Sequence, residues 1–295
     1  MNTPAAAPFR ARGGRAVRHP RAMAYGEGPG PIAIAHRGGA GLGVENSMQA
    51  FARSTALGVR YLETDVRVTA DGELVCFHDA TLDRVTGRSG PVDRQMLRSV
   101  RALRVHGTEP IPTLDEVLDA FPSAYVTVDV KDRAAIAPMV RTPRRPGVAE
   151  RVCVAGAWDG WLEQIRAEVP GVATSLGWRA LTGLLACART GVRPPPGLAS
   201  APFAHVPVRL GRVPVFADGV VPMAHDLGVR VVVWTVDDPA LMHRLYDAGV
   251  DAVITDRPDL LREVLLSRGQ WPAMGGPAGN GSTGDVAHQR LSLPA

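Results

Sequence analysis

Tyr61-Leu62-Glu63-Thr64-Asp65-Val66-Arg67-Val68-Thr69-Ala70-Asp71-Gly72-Glu73-Leu74-Val75-Cys76-Phe77-His78, residues 61–78, reads as an apolar strand that turns back on itself. Strand side chains alternate faces, so Glu63 and Asp65 share one face with Cα atoms about 7 Å apart. Two like charges on one buried face repel unless a cation lies between them; on a solvated edge they need none. Asp71-Gly72 is a strong hairpin signal between Val66–Thr69 and Leu74–Phe77. With Asp71-Gly72 as a two-residue loop, Ala70 faces Glu73, and counting back sets His78 opposite Asp65. The return arm is thus expected to bring a histidine to the carboxylates.

Outward from this stretch the chain alternates short β-branched or apolar runs with helical segments. The runs are 32–37, 61–65, 124–130, 151–156, 172–176, 204–208, 230–236 and 251–255. Glu45-Asn46-Ser47 precedes a helix bearing Met48, Phe51, Ala52 and Thr55. Thr113 and Glu116 form a capping box ahead of Leu114, Val117, Leu118 and Phe121. Pro239 suits the first position of a helix that ends before Gly249. Strand–helix alternation implies a parallel sheet, and eight units in one domain imply a (β/α)8 TIM barrel rather than a doubly wound sheet. Barrel chemistry sits at the C-terminal ends of strands. Polar residues collect there: His36-Arg37-Gly38-Gly39, Glu63 and Asp65, Asp129-Val130-Lys131, Trp234-Thr235 and Thr255-Asp256.

The 295 residues carry a net charge of +4 and 45% hydrophobic residues, enough for a sizeable core. No run approaches the roughly 20 apolar residues of a membrane span, so no integral membrane segment is expected. Arg10, Arg12, Arg15, Arg18 and Arg21 crowd the first stretch. Basic charge in a tail rather than across a folded face argues against nucleic acid as a partner. Residues 1–31 contain no apolar signal region and no consecutive arginines; they read as a disordered Arg/Pro/Gly-rich tail, with Met23 a second candidate start. Residues 268–295 read as a second disordered tail, leaving 32–267 as a single domain. Three scattered cysteines suit a reducing compartment, and a cytoplasmic location is expected. Nothing in the sequence fixes an oligomeric state.

His36, at the end of the first strand, is the second histidine near the carboxylates. Among 33 basic residues Lys131 is the lone lysine, two positions after Asp129. A compact ammonium fits a tight anionic pocket that a guanidinium fork does not, although a codon accident would also leave one lysine. His19, His106, His205, His225, His243 and His288 show no partner pattern and read as surface or ordinary core. Gly39-Ala40-Gly41-Leu42-Gly43 follows a strand, but its spacing is not that of a dinucleotide-binding loop.

The ordered set IAHRGG (34–39), EN (45–46), ETDV (63–66), FHDATLDRVTG (77–87), IPTLDE (111–116), DVK (129–131), WTV (234–236) and ITDRPD (254–259) resembles the glycerophosphodiester phosphodiesterase family. The resemblance implies a TIM barrel with a short insertion after the second-strand hairpin, at about 80–112. It implies hydrolysis of small-molecule glycerophosphodiesters to glycerol 3-phosphate and an alcohol, with one divalent cation, Ca2+ or Mg2+. By matching motif, Glu63, Asp65 and Asp129 look like metal ligands, and His36 and His78 like the acid–base pair. Arg37 and Lys131 look like phosphate contacts and Trp234 like a substrate-pocket residue, with Glu45 and Asn46 at the metal or behind its ligands. Three departures stand out. Asp129 replaces the usual glutamate, Asp237 replaces the usual asparagine after Trp-Thr-Val, and Ala155-Gly156-Ala157 lacks the usual Ser-Phe; the last two bear on headgroup preference. Two other readings compete: a lysophospholipase D- or C-like barrel with Trp158, Trp161 and Trp178 as an apolar rim, and a catalytically inactive phosphate-binding barrel.

Overall fold

The computed structural model describes residues 24–271, apart from 29, 211, 212, 217 and 218. Eight parallel strands form the barrel wall. They are β1 (Ile32–Ala35), β2 (Tyr61–Val68), β3 (Tyr125–Val130), β4 (Val152–Gly156), β5 (Ala173–Thr174), β6 (Phe203–Pro207), β7 (Arg230–Trp234) and β8 (Ala252–Thr255). Each pairs with its neighbour except at the β5–β6 seam, and β8 pairs with β1. Among the described residues the seam between β5 and β6 is closed by a Ser175–Phe203 bridge and the Leu176 N–H donating to the Phe203 carbonyl at 2.7 Å. The weakest strand signals in the sequence fall at this seam.

The eight outer helices are α1 (Met48–Ala56), α2 (Leu114–Ala120), α3 (Ile136–Arg141), α4 (Asp159–Glu168), α5 (Trp178–Thr190), α6 (Val220–Asp226), α7 (Pro239–Asp247) and α8 (Pro258–Ser267). Their starts follow local chemistry. The Thr113–Glu116 capping box is formed in both directions, and Asp238 caps α7 ahead of Pro239. Ser47 caps α1, whose buried face is Ala50, Phe51 and Ser54; Ala52, expected inside, is exposed.

The hairpin differs from its expected register by one residue. Val66 pairs with Cys76 and Val68 with Leu74, so Phe77, not His78, donates to the Asp65 carbonyl. The cause is a three-residue loop, Ala70-Asp71-Gly72, closed by Thr69 with Glu73; Gly72 takes φ +84°. A type I turn followed by a left-handed glycine is the next most common hairpin loop, and it adds one residue to the count. A one-residue slip turns every side chain over. His78 nevertheless reaches the interior because it lies beyond the ladder, where the chain has left the strand.

The inserted segment after the hairpin is present. It holds the short helices Asp83–Thr86 and Leu97–Arg101 and the ribbon Arg104–Val105 with Glu109–Pro110, packed on Phe77, Leu82, Val85 and Ile111. The ordered chain also extends beyond the expected 32–267. At the far end Arg262 lies over the Trp271 ring. At the near end Tyr25, expected in a tail, is buried in the N-terminal mouth of the barrel. Its ring meets Tyr61, Tyr125 and Phe203 edge-on at 5.3–6.1 Å, and its hydroxyl bonds Thr127. The three strand-borne rings leave a space that Tyr25 fills from outside the strands, which composition alone does not reveal. Residues 1–23 and 272–295 lie outside the described residues.

Removing this plug exposes three aromatic faces. Tyr25→Ala should therefore cost about 3 kcal/mol or more in urea unfolding. A change within 0.5 kcal/mol would mean that the plug contributes nothing to the barrel.

Candidate active site

The inner faces of the strands form layers. Tyr61, Tyr125 and Phe203 make a floor over Tyr25; above it stand Glu63 and Thr127, paired in register, and above these Asp65 opposite Asp129. A cavity of about 390 Å³ opens above them at the C-terminal ends of the strands. One wall is charged, with His36, Arg37, Glu63, Asp65, His78, Asp129 and Lys131. The other, from the β4–β6 side, presents Ala155, Trp158, Trp161, Leu176, Trp178 and Leu181, with Trp234 also lining the space. The sequence-predicted residues therefore converge.

The turn after β1 is built for this purpose. Arg37 sits at φ +48°, a left-handed conformation that costs a non-glycine residue of order 1 kcal/mol or more. Gly38 and Gly39 follow at φ +81° and +94°, where an added Cβ would meet Phe51 at 2.8 Å and Pro258 at 2.9 Å. The tight turn aims the Arg37 N–H at Glu63 (2.8 Å) and its guanidinium at Asp65 (3.1 Å) and Glu45 (3.2 Å). Asn46, at φ +55°, donates to Asp65 at 3.2 Å.

Glu63 and Asp65 are almost fully buried, at 4% and 1% exposure. Burial, the neighbouring Asp65 charge and Asp129 push Glu63 up to about 7, against the pull of His36 and the Arg37 amide. Burial also acts to raise Asp65, but Lys131 first, then Arg37 and His78, hold it below the usual carboxylate range. The Lys131 ammonium lies between Asp65 (2.9 Å) and Asp129 (2.6 Å). Burial opposes its charge, yet Asp129 and Asp65 raise its pKa and keep it protonated. Two of its three N–H donors are thus engaged.

Among the described residues no three His, Cys, Asp or Glu groups stand together as a preassembled metal site. The donors nonetheless suit a hard cation. Glu63, Asp65 and Asp129 line the cavity and supply only oxygen donors, the set that a hard cation takes.

Both histidines are held in the same way. His36 Nδ1 lies 2.7 Å from Asp256 and His78 Nδ1 2.7 Å from Asp79, which leaves each Nε2 to face other groups. His36 Nε2 is 4.0 Å from Glu63. Burial lowers the His36 pKa, but Glu63 and Asp256 more than reverse this and raise it. Sequence reasoning missed the roles of Asp256 and Asp79, although both lie inside motifs already singled out. Asp237 contacts neither cavity wall: its Oδ1 accepts from the Thr255 hydroxyl and the Asp256 N–H, both at 2.8 Å, so it braces the support of His36. His205, expected as surface or ordinary core, lines the cavity; burial lowers it to about 4, and its Nε2 has no partner among the described residues.

The profile of the glycerophosphoryl diester phosphodiesterase family matches residues 36–260. This chain belongs to that family. It is 40% identical over 246 residues to a Mycobacterium tuberculosis protein named probable glycerophosphodiester phosphodiesterase 2, covering 82% of this chain and 93% of that one. It is also 25% identical over 270 residues to human lysophospholipase D, covering 79% and 85% of the two chains. The fold matches an Oleispira antarctica phosphodiesterase solved with the product sn-glycerol-3-phosphate, with a TM-score of 0.67, 22% identity and coverage of 80% and 97%. The glycerophosphoryl diester phosphodiesterase barrel is thus an enzyme scaffold, and among the described residues no helix is long and apolar enough to cross a membrane.

The geometry around Lys131 makes a sharp prediction. An ammonium fits between carboxylates 2.6 and 2.9 Å away; a planar fork does not. Lys131→Arg should lower kcat/KM almost as much as Lys131→Ala, on the order of ten- to a hundredfold. Activity of Lys131→Arg close to wild type would remove the lysine from the active site.

Proposed function

We propose that the cavity hydrolyses glycerophosphodiesters to sn-glycerol 3-phosphate and an alcohol. The observation that carries this reading is the pair of histidines, each with Nδ1 on an aspartate at 2.7 Å, flanking buried carboxylates and two cations. The names of the Mycobacterium relative and of the product bound to the Oleispira structure support it.

A phosphodiester is an anion, so attack on it is opposed by charge. Arg37 and Lys131 face the cavity and offset charge developing on the phosphoryl oxygens. One histidine takes the proton of the attacking hydroxyl as its oxygen bonds to phosphorus, and the other protonates the departing alkoxide as the P–O bond to the alcohol breaks; water supplies that hydroxyl directly, or opens the cyclic phosphate that the neighbouring glycerol hydroxyl forms first. An imidazole suits both steps, each contributing typically about 10²–10⁴-fold. Asp256 and Asp79 fix the tautomers that leave Nε2 for the substrate. Glu63, Asp65 and Asp129 would hold Ca2+ or Mg2+, whose charge, when bound, neutralises phosphoryl oxygens. Glu45 and Asn46 stand behind these groups, on Arg37 and Asp65. Trp234 would border the substrate from β7.

The aromatic wall favours a second reading, a lysophospholipid substrate as in the relative named lysophospholipase D. Trp158 is 61% exposed, its ring 5.9 Å from Trp161, on the side that also presents Leu176, Trp178 and Leu181. Such a surface suits an acyl chain on the glycerol.

A panel of glycerophosphocholine, glycerophosphoethanolamine, glycerophosphoinositol and lysophosphatidylcholine, read by product, separates the readings. Glycerol 3-phosphate release that EDTA abolishes and Ca2+ or Mg2+ restores is expected. Turnover of lysophosphatidylcholine alone, selectively lost in Trp158→Ala, would favour the second reading. No turnover of any member would leave a phosphate-binding barrel. His36→Ala and His78→Ala should each fold and keep less than about a tenth of wild-type kcat.

A further inference from the structure

The inserted helix Asp83–Thr86 carries Arg84, which does not line the cavity. Its guanidinium makes three directed contacts. Nη2 and Nη1 donate to the two oxygens of Glu45 at 2.6 and 3.1 Å, and Nε donates to Asp79 Oδ2 at 2.5 Å. Each of these carboxylates has its other commitment inside the active site. Asp79 Oδ1 holds His78 Nδ1 at 2.7 Å, and Glu45 Oε2 accepts from Arg37 Nη1 at 3.2 Å. A continuous run of charge-assisted contacts therefore joins His78, Asp79, Arg84, Glu45 and Arg37, and Arg37 continues it to Asp65.

We propose that Arg84 is a positioning residue that fixes, with one guanidinium, both the carboxylate orienting His78 and the carboxylate orienting Arg37. Two features require an arginine. A planar fork can engage both oxygens of Glu45 and still present Nε sideways to Asp79. A lysine has one charged centre and would serve one carboxylate at a time. Glu45 also sits between two guanidinium groups. Without Arg84 its full charge would fall on Arg37 and compete with Asp65 for it. Asp79, without Arg84, would keep only its His78 contact and be free to rotate about χ2. Arg84 is 47% exposed on its side chain. Surface pairs of this kind contribute little to stability, so the contacts should matter for geometry more than for folding.

The inference rests on His78 and Arg37 acting on substrate as proposed above, and the test keeps the two apart. Wild type, His78→Ala, Arg84→Ala and Arg84→Lys are compared with glycerophosphocholine, alongside thermal midpoints. Both Arg84 variants should keep a midpoint near wild type while kcat falls about tenfold or more. KM should change far less, because Arg84 does not reach the substrate. Millimolar guanidinium should recover part of the lost kcat in Arg84→Ala, and equal concentrations of NaCl or urea should not. A merely structural tie predicts the reverse: a lowered midpoint, kcat and KM altered together, and no rescue. If His78→Ala retains turnover, the active-site reading itself fails. If His78→Ala is inactive but both Arg84 variants match wild-type kcat, only the positioning role is overturned.

Discussion

Two carboxylates buried on the inner face of one strand are the constraint around which the candidate active site is arranged. Glu63 and Asp65 have lost nearly all contact with water, and an unpaired charge in such a place costs several kcal/mol. Everything near them answers that cost. Arg37 accepts a strained backbone so that its amide and guanidinium can both reach them, and Asn46 does likewise. Lys131 sets its ammonium between Asp65 and Asp129. The glycines after Arg37 let the turn press against α1 and Pro258. The compensation is incomplete at Glu63, whose raised pKa is the residue of the conflict.

The support around this centre comes from distant parts of the chain. Asp256 lies 220 residues from His36, and Asp237 in turn holds Asp256 through its backbone and Thr255. A barrel makes such contacts possible because its last strand closes on its first. His36 on one side and His78 on the other receive equivalent aspartates by different routes, one across the closure and one from the next residue in sequence. The inserted segment then adds Arg84, tying the His78 side to the Arg37 side from outside the barrel.

Much of this was legible in the sequence, and the rest was hidden for physical reasons. Alternation of period two and the helix caps are local signals, and they set all eight strands to within a few residues. The polar strand ends pointed to the residues that line the cavity because burial makes charge rare inside a strand. The hairpin register was missed by one residue, since Asp71-Gly72 serves either a two- or a three-residue loop. Whether a histidine sits on the surface or at a cavity depends on strand tilt and neighbours, so His205 gave no sign. Tyr25 was also invisible. Nothing local separates a buried aromatic from one in a Gly-rich tail when the hole that receives it is assembled from β2, β3 and β6.

That plug has a bearing on traffic. With Tyr25 seated edge-on against Tyr61, Tyr125 and Phe203, the barrel is stoppered at one end by packed rings. Among the described residues the cavity opens at the opposite end, between the charged wall and the tryptophans, and diester, water, alcohol and phosphomonoester share that route. Entry and exit therefore compete for one doorway. Groups such as Trp158 at its rim can govern turnover through product departure while touching no reacting atom.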